Sequence, residues 1–187
     1  MRHSALRARC LNRRTRRILW LLGVAFVFHE LEEWNIVSWQ QANFEPPPQF
    51  TDREARTLLI LFALLGISFT ALCNRLLSLR AALVALLPLF VAIVFGNALT
   101  HIFWLFYFQT YAPGVVTSAF LLVPLTLLLV RGVLQEHLVP AAYVWMLLAL
   151  AVLQPVFAAA AGSTLSGPQL ALQRFGAQLA RCLWDAA

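Results

Sequence analysis

Titratable and amide side chains occur twice within strongly apolar sequence, and each set is spaced to share one face of a helix. His29, Glu32 and Glu33 follow directly after an apolar run. At about 100° per residue, Glu32 and Glu33 lie about 60° and about 40° to either side of His29. Asn97 and His101 are four residues apart, so they also share a helix face. These five side chains form the candidate site.

Several chemistries use such a set of groups. Imidazole and carboxylate groups are good ligands for zinc, iron or manganese, so the sequence predicts a divalent-metal site formed by His29, Glu32, Glu33 and His101. The same groups suit metal-free hydrolysis, in which Glu32 or Glu33 is the general base, a histidine stabilises the oxyanion and Asn97 orients a side chain or a substrate oxygen. A proton relay is a third use. The alternative is that all five groups lie at the membrane surface and are simply hydrated.

Neighbouring residues receive more ordinary interpretations. Glu30 lies about 100° from His29 and about 160° from Glu33, so we expect it at the bundle edge or the water interface, outside the site. Five aromatic residues fall where the first and third helices would leave a membrane, and an interfacial belt is their default interpretation: Trp34, Trp39, Trp104, Tyr107 and Tyr111.

The composition indicates that these groups lie in a membrane protein. Of 187 residues, 61% are hydrophobic and 12% are charged, with a mean hydropathy of +0.76. A soluble domain is nearer half apolar and about a quarter charged. Ionisable residues at the middle of a spanning helix cost about 2.5 to 3.5 kcal/mol, so those that occur there are functional candidates by default. We therefore predict an all-α, polytopic transmembrane bundle.

The apolar segments give the predicted organisation of the chain. A bilayer core of about 30 Å needs about 20 apolar helical residues, and five segments are long enough or nearly so. They are predicted at 17–38, 53–73, 81–108, 115–130 and 138–160, the first four being firmer and the fifth either spanning or re-entrant. The predicted regions are a basic cytoplasmic segment (1–17), a transmembrane domain (18–135), an additional helix (136–162) and an amphipathic C-terminal tail (163–187).

The arginines predict the orientation. All fourteen basic residues are arginines, and seven of them precede Ile18. Beside a long apolar stretch this pattern favours a cytoplasmic N-terminus in the cell membrane over nucleic-acid binding. The first and third helices then both run outward, and the two polar sets fall in the outer half of the membrane. The expected partners are membrane lipids and a lipidic or membrane-borne substrate, with no nucleic acid.

Three short motifs resemble one known family. His29-Glu30-Leu31-Glu32-Glu33 resembles the signature of the HXXEE domain family of prokaryotic membrane proteins, and Asn97 to His101 resembles that family's Asn-x-x-x-His motif. A third segment is similar to its Tyr-x-Pro-Gly motif and contains Tyr111, Pro113, Gly114 and Thr117. The resemblance covers about residues 18 to 135. It implies a multi-span membrane enzyme whose reaction is not established, with His29, Glu32, Glu33, Asn97 and His101 as site residues.

The leading functional hypothesis is an integral-membrane hydrolase, with or without a metal ion, that acts on a lipidic or membrane-borne substrate. One alternative is an ion- or proton-coupled transporter that uses the same polar cluster. The other is an accessory subunit in which the cluster only holds the first helix to the third. Four or five spans without an inverted repeat argue mildly against the transporter.

Overall fold

The chain folds as an all-helical bundle in a computed structural model, which describes residues 2–48, 51–165 and 167–185. Helices and turns account for these residues, and the described part of the chain contains no β-strand. The elements are α1 (Arg2–Glu32), a 3-10 turn (Glu33–Asn35), α2 (Ile36–Asn43), α3 (Asp52–Leu76), α4 (Leu79–Phe108), α5 (Val115–Gln135), α6 (Ala141–Ala161) and α7 (Gly167–Asp185).

Four helices, α3 to α6, are long and apolar enough to cross a membrane. They confirm the predicted all-α membrane bundle, although the set differs from the four spans that were expected to be firmest. The fifth predicted segment qualifies as α6. The first does not, because charged residues stand close to both ends of its apolar run, Arg17 before it and Glu30 and Glu32 after it. Helix α1 still packs inside the bundle, where Leu19 and Leu22 are fully buried.

Helix α4 forms the centre of the core and is longer than a bilayer requires. It has 30 residues, hence a length of about 45 Å against a core of about 30 Å. The helix is π-helical over Pro88–Val94, which ends three residues before Asn97. A second π-helical segment, Ser118–Leu122, begins directly after Thr117 in α5. π-Helical segments are frequent at functional sites.

The start of α3 is fixed by a capping box with Thr51 as the N-cap. The Thr51 hydroxyl accepts a hydrogen bond from the Glu54 backbone N–H at 3.2 Å, and the Thr51 N–H donates to the Glu54 carboxylate at 2.9 Å. At the other end of α3, the Arg16 guanidinium of α1 donates to the Leu77 carbonyl at 2.8 Å. The Arg16 contact joins the start of α1 to the end of α3, so the two helices run antiparallel.

Helix α6 crosses the bundle and is not re-entrant. Near its start the Tyr143 hydroxyl donates to the Val84 carbonyl at 2.9 Å. Directly after its end, the Ser163 carbonyl accepts from the Glu45 N–H at 2.9 Å. Residues 44–48 and the C-terminal helix α7 therefore lie at the same end of the bundle.

Helix α7 is an amphipathic helix as predicted, and it packs against α2 and α3. The Gln173 amide donates to the Gln40 side-chain oxygen at 2.9 Å. Gly176 lies so close to Leu58 that there is no room for a β-carbon. This helix closes the end of the bundle at which α1 ends.

Candidate functional site

Four polar side chains from α1, the 3-10 turn and α4 meet inside the bundle. The Nε2 atom of His29 lies 2.9 Å from Oε1 of Glu33, and Nε2 of His101 lies 2.8 Å from the same oxygen. The Asn97 amide nitrogen lies 3.1 Å from Nε2 of His29 and 3.2 Å from Nε2 of His101. His29, Glu33 and His101 are all buried. The two predicted sets, far apart in sequence, therefore form one cluster.

Glu32 belongs to a separate network at the start of α5. One oxygen of its carboxylate accepts from the Tyr111 hydroxyl at 2.6 Å and from the Val116 N–H at 3.0 Å. The other accepts from the Thr117 N–H at 2.7 Å and the Thr117 hydroxyl at 2.6 Å. Glu32 and Glu33 are about 100° apart around the helix, so one faces α5 and the other faces α4. The predicted four-ligand set is therefore divided, and Glu32 lies outside the cluster.

Thr117 connects the two networks and determines which nitrogen of His29 carries a proton. Its hydroxyl has a single proton, and two of its neighbours, the Glu32 carboxylate and the Gly114 carbonyl, can only accept. The hydroxyl therefore accepts from the Nδ1–H of His29, which lies 2.9 Å away. The neutral imidazole of His29 then presents a lone pair at Nε2, towards Glu33.

This tautomer has a consequence for the charge of the cluster. A lone pair on Nε2 of His29 and the Oε1 atom of Glu33, 2.9 Å apart, are both hydrogen-bond acceptors. Two acceptors at that distance need a proton or a cation between them. The cluster is therefore built either around a proton shared between His29 and Glu33 or around a bound cation.

His29, Glu33 and His101 can hold a metal ion. Their ligand atoms all lie within 4.8 Å of one another. With metal–ligand bonds of about 2.0 to 2.2 Å in a tetrahedral site, neighbouring ligand atoms would be about 3.4 Å apart. The observed separations from Glu33 are 2.9 Å and 2.8 Å, so a movement of about half an ångström would open the cluster enough for an ion. The Thr117 contact to Nδ1 of His29 is the kind of outer partner that orients a metal-binding histidine.

Gly114 lies directly against both histidines. It has a left-handed backbone with φ of +91°. A β-carbon here would lie 2.8 Å from the His29 ring and 3.1 Å from the His101 ring. Glycine is required by both the conformation and the close approach. The segment that the sequence marked as a turn into α5 therefore also forms a wall of the site.

Tyr111 closes the Glu32 network on the solvent side. Its pKa is raised to about 12 because the hydroxyl is partly desolvated and because it donates to the Glu32 carboxylate. The phenol therefore stays protonated and remains a donor at physiological pH. From the sequence, Tyr111 could be either a belt aromatic or a site residue. Its hydrogen bond to Glu32 makes it part of the Glu32 network beside the site.

A cavity of about 680 Å³ opens beside the cluster. Its polar wall includes Glu33, Asn97 and His101, and the remaining wall is mainly apolar and formed by α3 and α4. Leu65 of α3 and Ile93 of α4 line the cavity while being 64% and 58% exposed at the bundle surface. The cavity therefore reaches the lipid-facing surface between these two helices.

Two residues that line the cavity were expected elsewhere from the sequence. Glu30 was expected at an edge but is 5% exposed, and it lines the cavity. Trp104 was expected in an interfacial belt, yet it is 3% exposed and packs edge-on against the His101 ring. The helical spacing could have indicated that Trp104 lies beside His101, because the two residues are three apart. Glu30 offered only its proximity to His29.

A family model described as "Protein of unknown function with HXXEE motif" matches residues 20–129, which is more than half of the chain. The matched region contains the whole His29, Glu33, Asn97 and His101 cluster and the Glu32 network. Comparisons with curated proteins and with solved structures gave no match.

Proposed function

Because the chain belongs to the HXXEE-motif family and its motif residues meet at a lipid-accessible cavity, we propose that it is an integral-membrane hydrolase of a lipidic substrate. The observation that carries the proposal is the convergence of His29, Glu33 and His101 on one point beside the cavity, whose wall includes Glu33 and His101. Buried ionisable groups are costly within a membrane, so a cluster of three suits chemistry better than packing.

We further propose that His29, Glu33 and His101 bind a divalent ion, zinc or alternatively iron or manganese. Two imidazoles and one carboxylate are the donor set of catalytic zinc sites, in which a fourth position stays free for water or substrate. Such an ion would polarise a substrate carbonyl or phosphoryl oxygen and activate water at neutral pH. A bound cation, like a shared proton, would satisfy the close approach of His29 Nε2 to Glu33 Oε1.

The protein groups have distinct roles in this scheme. The Asn97 amide nitrogen lies near Nε2 of both histidines. With those nitrogens bound to an ion, the amide would be free to donate to a substrate oxygen as negative charge develops on it. Glu33 serves as ligand and as the carboxylate nearest to the reacting water. Glu32 positions His29 through Thr117 and does not touch the substrate.

A proton relay is the second candidate, and a specific observation favours it. Hydrogen bonds connect the exposed Tyr111 through Glu32, Thr117 and His29 to Glu33. The chain ends at His101, whose Nδ1 atom is buried and has no partner within the described part of the structure. The relay therefore leads from one end of the bundle to the cavity and stops there. Such a path suits proton supply to a reaction better than transport across the membrane.

We also propose that the protein lies in the cell membrane with its N-terminus in the cytoplasm. The arginine-rich start of α1 obeys the positive-inside rule in this orientation. The site then faces the outer half of the membrane, at the end where α7 lies. Helix α1 would form a fifth span, with its charged ends near the two surfaces.

A direct test of the hydrolase is the release of a long-chain product from labelled membrane lipids by protein reconstituted in liposomes. We expect release by the wild type and loss of at least a hundredfold in His101→Ala and Glu33→Gln. The control is His137→Asn, because His137 is exposed and lies in the turn between α5 and α6. If His101→Ala hydrolyses lipids as fast as the wild type, the cluster is not the catalytic site. An accessory-subunit role would instead show as reduced stability without any activity to lose.

A further inference from the structure

Glu30 carries a buried carboxyl group that belongs neither to the cluster nor to the Glu32 network. It is 5% exposed, and its Oε2 atom is buried without a hydrogen-bond partner in the described part of the structure. A buried polar atom without a partner costs stability, so such a group calls for an explanation. Glu30 lines the same cavity as Glu33, Asn97 and His101. An arriving ligand is therefore the natural partner of this oxygen.

The position of Glu30 in the motif suits a role in ligand selection. The family is described by a His-x-x-Glu-Glu motif, in which His29, Glu32 and Glu33 occupy the fixed positions. Glu30 falls on a position that the motif leaves open. A residue that faces the cavity but is not part of the shared motif can adapt the cavity to a particular ligand.

The rest of the cavity determines what kind of ligand fits. Its volume of about 680 Å³ is in the range, about 300 to 1,000 Å³, of sites that enclose one small ligand. The wall beyond the cluster is built from hydrocarbon and aromatic side chains of α3 and α4, among them Phe62, Leu65, Phe69 and Leu89. No lysine or arginine is among its lining residues in the described part of the chain. The cavity therefore offers an apolar channel whose polar wall includes the unpartnered Glu30 carboxyl group and, among the described residues, no lysine or arginine to pair with an acidic head group.

We propose that this cavity binds a single-chain lipid amide or ester whose head group carries a hydrogen-bond-donating amine or hydroxyl group, and that Glu30 accepts from that group. The hydrocarbon chain lies between α3 and α4 and enters between Leu65 and Ile93. This proposal rests on the proposed function, which is the ground for expecting a lipid at the site. It adds the chemical class of that substrate. Glu30 is the specificity-determining residue, while the His29, Glu33 and His101 cluster carries the chemistry.

The test is equilibrium binding of three probes with the same chain, hexadecylamine, hexadecanol and hexadecanoic acid, to full-length protein in nanodiscs. Metal is removed beforehand with a chelator, because an ion at the cluster would bind the acid. We expect the amine and the alcohol to bind about tenfold more tightly than the acid, because a hydrogen bond to the otherwise unpartnered Glu30 oxygen contributes about that much. Glu30→Gln, which both accepts and donates, should reduce the preference to about twofold. Glu45→Gln, at an exposed position, should leave it unchanged.

Two outcomes would overturn the proposal: the acid binding the wild type as tightly as the amine, or Glu30→Gln keeping the wild-type ranking. Glu30→Leu is a second variant, which should fold at least as well as the wild type. Removing an unpaired buried carboxyl group should raise the melting temperature, and it should also abolish the head-group preference. Metal content is measured on the same preparation before the chelator is added. The binding readout needs no turnover, so failure of the head-group assignment in a preparation that bound metal is distinct from failure of the hydrolase.

Discussion

The Nδ1 atom of His29 lies 2.9 Å from the hydroxyl oxygen of Thr117, although the two residues are 88 positions apart in the chain. This contact joins the end of α1 to the start of α5. It makes Glu32 a supporting residue, because the Glu32 carboxylate holds the same hydroxyl from its other side at 2.6 Å. The adjacent glutamates of the motif therefore act on His29 in different ways, one through Thr117 and the other by direct contact.

Removing the Thr117 hydroxyl should change the proton position on His29. In Thr117→Val the Nδ1–H loses its acceptor, so the proton should redistribute between the two ring nitrogens. The ring-nitrogen NMR shifts of His29 report this directly. Metal affinity, measured by competition with a chelator, should fall about 10- to 100-fold, as for other outer partners of metal-binding histidines. Thr117→Ser keeps the hydroxyl and should behave as the wild type. Unchanged nitrogen shifts in Thr117→Val would show that the hydroxyl does not fix the tautomer.

Adding a methyl group at Gly114 should damage both the fold and the site. The backbone has φ of +91°, and the new β-carbon would lie 2.8 Å from the His29 ring. We expect Gly114→Ala to destabilise the protein by about 1 to 2 kcal/mol from the left-handed backbone alone, with further loss from the clash. Thermal unfolding in detergent measures the change.

Gly132 offers a matched control for that experiment. It lies within α5, and a β-carbon there would meet no atom within 4 Å. Gly132→Ala should therefore be neutral or stabilise the protein by about 0.5 to 1 kcal/mol. Equal melting temperatures for the two alanine variants would contradict the close approach of Gly114 to the histidines.

Helix α7 should be reachable from outside the cell. Cys182 is an exposed residue of this helix, which lies at the end of the bundle opposite to the arginine-rich start. In whole cells, a membrane-impermeant maleimide should label a variant that keeps only Cys182. It should not label one that keeps only Cys10. The reverse pattern would place the N-terminus outside and the site in the inner half of the membrane.

The sequence predicted the class of fold and the meeting of the two polar sets because both depend on local patterns. Apolar length indicates a membrane helix, and a spacing of three or four residues indicates a shared helix face. It could not tell which neighbour each side chain of that face would meet. Glu32 and Glu33 were grouped because both lie near His29 around the helix, but they lie about 100° from each other and contact different helices.

Glu30 illustrates a second limit of the sequence. A helical wheel gives the direction of a side chain relative to its own helix, while the location of a cavity depends on how the other helices are spaced. Glu30 was expected at an edge, yet α3 and α4 diverge beside it and enclose the cavity that it lines. The π-helical segment over Pro88–Val94 is likewise a feature of packing, although Pro88 marked the place where α4 departs from a regular helix.

The proposed metal centre of His29, Glu33 and His101 is tested most directly by elemental analysis of detergent-purified protein. We expect about one zinc, iron or manganese ion per chain in the wild type and in His137→Asn. We expect loss of that ion in His29→Ala and His101→Ala variants that remain folded. Wild-type protein purified without chelator that contains no such ion, and that takes up none when zinc, iron or manganese is supplied, would contradict it.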